Sequence, residues 1–275
     1  MIELYHHGSS VCAAKVRFAL TEKGVEPDKY HYIDIFKGEQ LTKEYLRINP
    51  KAVVPTLVHN GNVITESTII CEYTDEAFPG PALKPEDPYA RAKMRQWTKM
   101  VDDEIHIACR DLTFVCCHRH IMLRMGNDGK ENSNASTPNK SSLNKWPERR
   151  QEIVELGFDA PGIDETIRFF DKLLFTAEES LKDHKWLVGD SFSLADIALT
   201  PYINRLNMLS MDSMWENDRL PYVANWFENI KSRPTFKQAL LDWCPDELTN
   251  DLKTFGAQNW PQVGSIIGIE IPCKT

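Results

Sequence analysis

Ser9, Ser10 and Cys12 stand where a short apolar run, Ile2-Glu3-Leu4-Tyr5, gives way to helix-forming residues from Ala13 onward. Two hydroxyls and a thiol thus gather at a helix N-terminus. There the unpaired backbone N–H groups and the positive end of the helix dipole favour an anion, and a thiolate has a lowered pKa. The same residue types also suit a plain N-cap and a small core filler, so the surroundings must decide between the two.

The elements that would hold this turn follow from pattern. Ile2–Tyr5 reads as a strand, and Ala13–Lys23 carries Val16, Ala19 and Leu20 on a helical period before Gly24 as a C-cap. Tyr30–Ile35 alternates as a second strand, and Leu41–Leu46 is a short helix stopped by Asn49-Pro50. Val53–His59 and Val63–Thr65 flank Asn60-Gly61, a two-residue hairpin signal, and Glu66–Ala77 is helical up to Pro79-Gly80-Pro81. This βαβ unit followed by ββα predicts an α/β first domain, residues 1–80, with a four-stranded mixed sheet.

Pro79 to Pro88 holds four prolines in ten residues and reads as a linker. Beyond it, Arg91–Arg124, Ile163–Leu181, Leu194–Met208, Tyr222–Lys231 and Phe236–Leu241 are helical stretches, predicting an all-helical second domain over residues 89–275. Residues 126–144, rich in Asn, Ser, Lys and Gly, read as a mobile loop. The last thirty residues read as neither helical nor disordered; their apolar content predicts packing onto the body and, with Trp243, closure of a pocket.

The 275 residues suit two packed units. A formal charge of −8 without a basic stripe argues against a nucleic-acid partner. No run approaches the roughly twenty apolar residues of a membrane span, and Glu3, His6 and His7 interrupt any signal segment, so a cytoplasmic location is expected. Seven irregularly spaced cysteines indicate reduced thiols, and Asn134-Ala135-Ser136 is then an idle sequon. Cys116-Cys117-His118-Arg119-His120 invites a metal reading. Adjacent helical residues point about 100° apart and no second ligand pair follows at finger spacing, so no metal is expected.

Three further motifs appear in order: Val54-Pro55 before an apolar strand, Glu66-Ser67 opening a helix after the hairpin, and the capping box Ser193-Leu194-Ala195-Asp196. Together with the Ser10 turn they resemble the glutathione transferase family over essentially the whole chain. The resemblance implies a thioredoxin-like first domain and glutathione as co-substrate. It implies a cis-proline at Pro55 that turns the Val54 backbone toward the cysteinyl part of the tripeptide. Glu66 would meet the α-ammonium, Ser67 and its helix N-terminus the α-carboxylate, and Gln40 the glycine end. Ser10 falls on the family's catalytic serine position, where its hydroxyl would donate to the glutathione thiolate and lower its pKa.

Within the family, Ser10-x-Cys12 with Lys51–Val58 is similar to the tetrachlorohydroquinone reductive dehalogenases, in which a cysteine attacks a glutathionyl-aromatic adduct. Val63–Tyr73 and Trp146–Arg150 are similar to the bacterial β-aryl etherases, which displace a phenolate. The expected enzyme attacks an electrophilic carbon of a small hydrophobic aromatic substrate with glutathione thiolate, most directly a lignin-type β-aryl ether. The alternatives are reductive dehalogenation or thiol oxidoreduction through Cys12, and a non-catalytic glutathione-binding module. The Arg91–Arg124 helix is expected to line the substrate site, with Arg110, His118 or Arg119 near the leaving group, and the family implies a homodimer.

Overall fold

A computed structural model describes residues 1–125 and 146–269; the loop expected at 126–144 and its sequon lie outside them. Strand β1 (Ile2–His6) pairs parallel with β2 (Lys29–Tyr32) and antiparallel with β3 (Thr56–His59), which pairs antiparallel with β4 (Asn62–Ile64). The sheet is four-stranded and mixed, in the order β2-β1-β3-β4. Helices α1 (Val11–Glu22), α2 (Lys43–Ile48) and α3 (Ser67–Ala77) complete this unit. Leu4 and Leu57, register partners on β1 and β3, are fully buried with Phe18 of α1 and Ile70 of α3.

Strands β2 and β3 are shorter than their apolar patterns. Residue Ile33 still donates to the His6 carbonyl at 2.8 Å, but Asp34 then draws the chain into a turn by accepting from the amides of Phe36 and Lys37. Pro55 has no N–H to extend β3. The short helix begins later than its pattern suggests, because Thr42 is its N-cap and accepts from the Tyr45 amide.

The second unit opens with a nearly unbroken helical run: α4 (Pro88–Met100), a π-helical turn at Val101–Ile105, α5 (His106–Thr113), a second π-helical turn at Phe114–His118, and α6 (Arg119–Met125). Hydrophobic periodicity predicts the run but not the π turns. Each inserts an extra residue, which rotates the following face by about 100°. Then come α7 (Trp146–Leu156), α8 (Ile163–Leu181), α9 (Leu194–Met208), α10 (Pro221–Lys231), α11 (Pro234–Phe236) running into a π turn at Lys237–Leu241, and α12 (Asp246–Ile266).

Helix α12 corrects the sequence reading of the chain end. Its buried positions, Leu248, Leu252, Gly256 and Val263, do keep a helical period. Two glycines and Pro261 disguise it as irregular chain. Gly256 is required by contact: a Cβ there would lie 2.1 Å from the Leu209 carbonyl oxygen.

The capping box of α9 is present and buried. Fully enclosed Asp196 accepts from the amides of Leu187 and Ser193 at 3.0 Å and from the Trp226 indole at 2.9 Å. Removing the carboxylate strands these three buried N–H donors, each costing about 1–3 kcal/mol, and frees the Ser193 hydroxyl, which also donates to it at 3.2 Å. Asp196→Ala is therefore expected to lose about 3 kcal/mol or more in denaturant unfolding, and Asp196→Asn, which keeps one acceptor, less.

Candidate active site

Sheet register gathers the sequence-predicted site residues at one edge. β3 runs antiparallel to β1 with Tyr5 opposite Thr56, so Val54-Pro55 lies beside the end of β1 where Ser10 follows. β4 pairs Ile64 with Leu57, so Glu66-Ser67 emerges at the same edge. β2 is parallel to β1, and the connection carrying Gln40 leaves from that edge too.

Ser10 is the N-cap of α1, and its Oγ accepts from the Ala13 amide at 3.2 Å. A hydroxyl has one proton and two lone pairs, so capping leaves the proton free to donate. The Val54-Pro55 peptide is cis, and Val54 makes no backbone hydrogen bond among the described residues. Tyr45 and Asn49 hold this corner by donating to the Val53 carbonyl at 2.6 and 2.9 Å. Glu66 sits at the start of α3 with φ 66° and ψ 112°, a conformation L residues rarely adopt. Its exposed carboxylate pairs with Lys51 at 2.7 Å. Ser67 is the first residue of α3. Gln40 donates to the Ile35 carbonyl at 3.4 Å, while its Oε1 is buried without a partner among the described residues.

Two buried guanidiniums hold the turn before Ser10. Arg17 donates to the carbonyls of His7 and Gly8 at 3.4 and 3.0 Å and to that of Ala239 at 2.7 Å, and Arg205 of α9 donates to the Ser9 carbonyl. Gly8 permits this closeness, since a Cβ there would lie 2.0 Å from the Trp243 carbonyl oxygen. Trp243 does not roof a substrate pocket; its ring packs edge-on against His6 and tilted on Tyr30, covering the sheet.

Sequence reasoning missed what surrounds Cys12. From the first turn of α1 its sulfur lies 3.5 Å from His106 Nδ1 on α5 and 3.8 Å from the Tyr202 hydroxyl on α9, and those two partners are 3.4 Å apart. Burial pushes the thiol up, but His106, Lys15 and Tyr202 outweigh it and bring its pKa down to about 6. The thiolate in turn raises His106, against the opposing effect of burial. Each thus favours the charged form of the other, thiolate on Cys12 and imidazolium on His106. No local signal marks single residues on three separate helices.

Of the residues expected near a leaving group, Arg110 stacks 3.8 Å over the Trp146 ring and pairs with Asp111, and Arg119 donates to the Val154 carbonyl. Both are engaged structurally. His118 instead faces Phe36 of the first unit. Cys116 and Cys117 are buried in the core, and His120 stacks on Phe255 beside Asn259.

This thioredoxin-like sheet joined to a helical unit, with a serine-capped turn between them, defines a class of two-domain thiol-using proteins. Comparison makes it specific. Residues 4–82 match the glutathione S-transferase N-terminal domain and residues 147–234 the C-terminal domain. The protein LigF of Sphingobium sp. (strain NBRC 103272 / SYK-6) is 32% identical over 86% of this chain and 92% of its own length. The tetrachloro-p-hydroquinone reductive dehalogenase of Sphingobium chlorophenolicum is 29% identical over 86% and 95%. The crystal structure of the beta-etherase LigF is similar with a TM-score of 0.76 at 29% identity, covering 88% of this chain and 99% of that one. The chain belongs to the glutathione S-transferase family. It is a glutathione transferase, with glutathione as its co-substrate.

Alkylation of Cys12 by iodoacetamide is expected to reach half its maximal rate near pH 6, where a pKa lowered to about 6 leaves half of the thiol as thiolate. His106→Phe removes the cation that favours the thiolate. Its midpoint should move up toward the ordinary thiol value of about 8.5. Unmoved midpoints in pH-resolved mass spectrometry would exclude the pair.

Proposed function

We propose that this transferase cleaves aryl ethers of the lignin β-aryl type, with attack of glutathione thiolate on the ether-bearing carbon. The C–S bond forms, the C–O bond breaks, and the electron pair leaves on oxygen as a phenolate that water then protonates. Ser10 donates to the thiolate. Val54 offers its free backbone groups to the cysteinyl part; Glu66 binds the α-ammonium; Ser67 and the α3 N-terminus bind the α-carboxylate; Gln40 meets the glycine end. The observation that carries this reading is the convergence of Ser10, Val54 and Glu66-Ser67 at one sheet edge. The ether specificity is supported by similarity to the beta-etherase LigF.

A hydrogen bond to a charged group contributes about 1.5–3 kcal/mol, equivalent to about one to two pKa units. Ser10→Ala is thus expected to raise the pKa of bound glutathione by that amount, read from thiolate absorbance, and to lower kcat/KM about tenfold or more. Glu66→Ala should raise the KM for glutathione with a smaller change in kcat. Product analysis by mass after incubation with a β-aryl ether should show a glutathione thioether and the free phenol.

The Cys12–His106 pair supports a second reading. Here Cys12 thiolate attacks the sulfur of a glutathionyl-aromatic adduct, the aromatic carbon leaves with the electron pair and takes a proton, and a second glutathione reduces the mixed disulfide to glutathione disulfide. Glutathione disulfide formed with a halogenated hydroquinone, and lost in Cys12→Ser, would establish it. A reducing, cytoplasmic setting suits both chemistries. Exposed Val63, Ile69 and Tyr89 on β4, α3 and α4 offer apolar surface for the homodimer we infer; light scattering checks it.

A further inference from the structure

Buried polar atoms without a hydrogen-bond partner are rare and need an explanation. Among the described residues several lie around the Ser10 turn: His7 Nε2, His118 Nε2, and Nε and Nη1 of Arg205. Arg205 is only 5% exposed and its remaining nitrogen holds the Ser9 carbonyl, one residue from Ser10. The Ser10 amide donates to the His7 carbonyl at 3.2 Å. Half-exposed Phe36 packs 5.4 Å from the His7 ring and edge-on 5.7 Å from that of His118, so imidazoles from both units meet at one ring, and Arg205 lies close enough to disfavour a charge on either.

The three residues differ in what they can do. His7 donates through Nδ1 to the Ile33 carbonyl at 3.0 Å, and burial keeps its ring neutral, so its Nε2 carries a lone pair and repels an oxygen anion. His118 is also neutral, pushed down to about 3 by burial and then by Arg205. In its Nε2–H tautomer it is a donor. Arg205 has two nitrogens without a partner among the described residues, carrying three N–H groups, and a permanent charge, the pattern that suits an oxygen anion.

We propose that Arg205 and His118 bind the departing oxygen of the second substrate, donating hydrogen bonds to the phenolate as the C–O bond breaks. The assignment rests on the ether-cleaving reading above. Charge moves from the glutathione sulfur to the substrate oxygen, and both residues keep their protons. Donors aimed where charge develops lower the barrier most for the leaving groups that bear charge least willingly.

The test is a series of β-aryl ethers releasing phenols from nitro-substituted, acidic ones to methoxy-substituted, basic ones, with kcat/KM plotted against leaving-group pKa. His118→Phe keeps an aromatic ring beside Phe36 and Phe114 and deletes an unpaired polar atom, so stability should not fall. The expected loss is about tenfold to a hundredfold for the most basic phenol and below about threefold for the most acidic, steepening the slope. Arg205→Lys, which keeps a cation but loses the fork, should steepen it likewise. Equal losses across the series, or none, would show that the unpaired atoms hold only structural water and would overturn the assignment alone. Wild-type enzyme that conjugates 1-chloro-2,4-dinitrobenzene yet cleaves no ether would overturn the ether reading and this assignment with it.

Discussion

Three successive carbonyls, of His7, Gly8 and Ser9, are held by two buried guanidiniums, and the site depends on this clamp. Arg17 comes from the helix that the turn opens, Arg205 from α9 of the second unit. A buried guanidinium must find acceptors or bear an uncompensated desolvation cost. The carbonyls of this turn offer such acceptors, that of His7 shared with the Ser10 amide, so each need satisfies the other. Arg17 also reaches the Ala239 carbonyl, which ties the π turn after α11 to the same point. The chain before Ser10 is thereby fixed by groups distant in sequence, and the Ser10 hydroxyl is left at a defined place as the cap of α1.

The second unit does more than cover the first. Its His106 and Tyr202 meet Cys12, and its Asp102 pairs with Lys15, whose ammonium is almost wholly buried and also donates to Thr68. Thiolate with imidazolium and ammonium with the Asp102 carboxylate offset one another in a poorly hydrated interface, where each alone would be costly. Both π turns fall at the residues concerned: one ends at Ile105 just before His106, the other contains His118. The extra residue in each re-aims a helix face that a regular helix would point elsewhere. The long helical run of the second unit is therefore irregular at the residues that face the first.

Much of the first unit was legible because its signals are local. Asn60-Gly61 marks the hairpin, Gly24 the end of α1, and the strand–helix alternation leaves few topologies. Ser193 and Asp196 announced their capping box for the same reason: the two residues that bond are three apart. The chain end was misread because Gly256 answers to Leu209, forty-seven positions earlier, a contact that no window of sequence contains. Cys12 was visible as a thiol at a helix start, yet its partner lies ninety-four residues away.

Sequence by itself determined the order of elements, the serine-capped turn, the Val54-Pro55 and Glu66-Ser67 pairs, and through them the family. These depend on periodicity, capping and turn chemistry acting over a few residues. Tertiary structure alone decided which charges face one another: Cys12 with His106, Lys15 with Asp102, and Arg205 with the Ser9 carbonyl. Electrostatic interactions act through space in a low-dielectric interior, so their strength follows distance and burial rather than position in the chain.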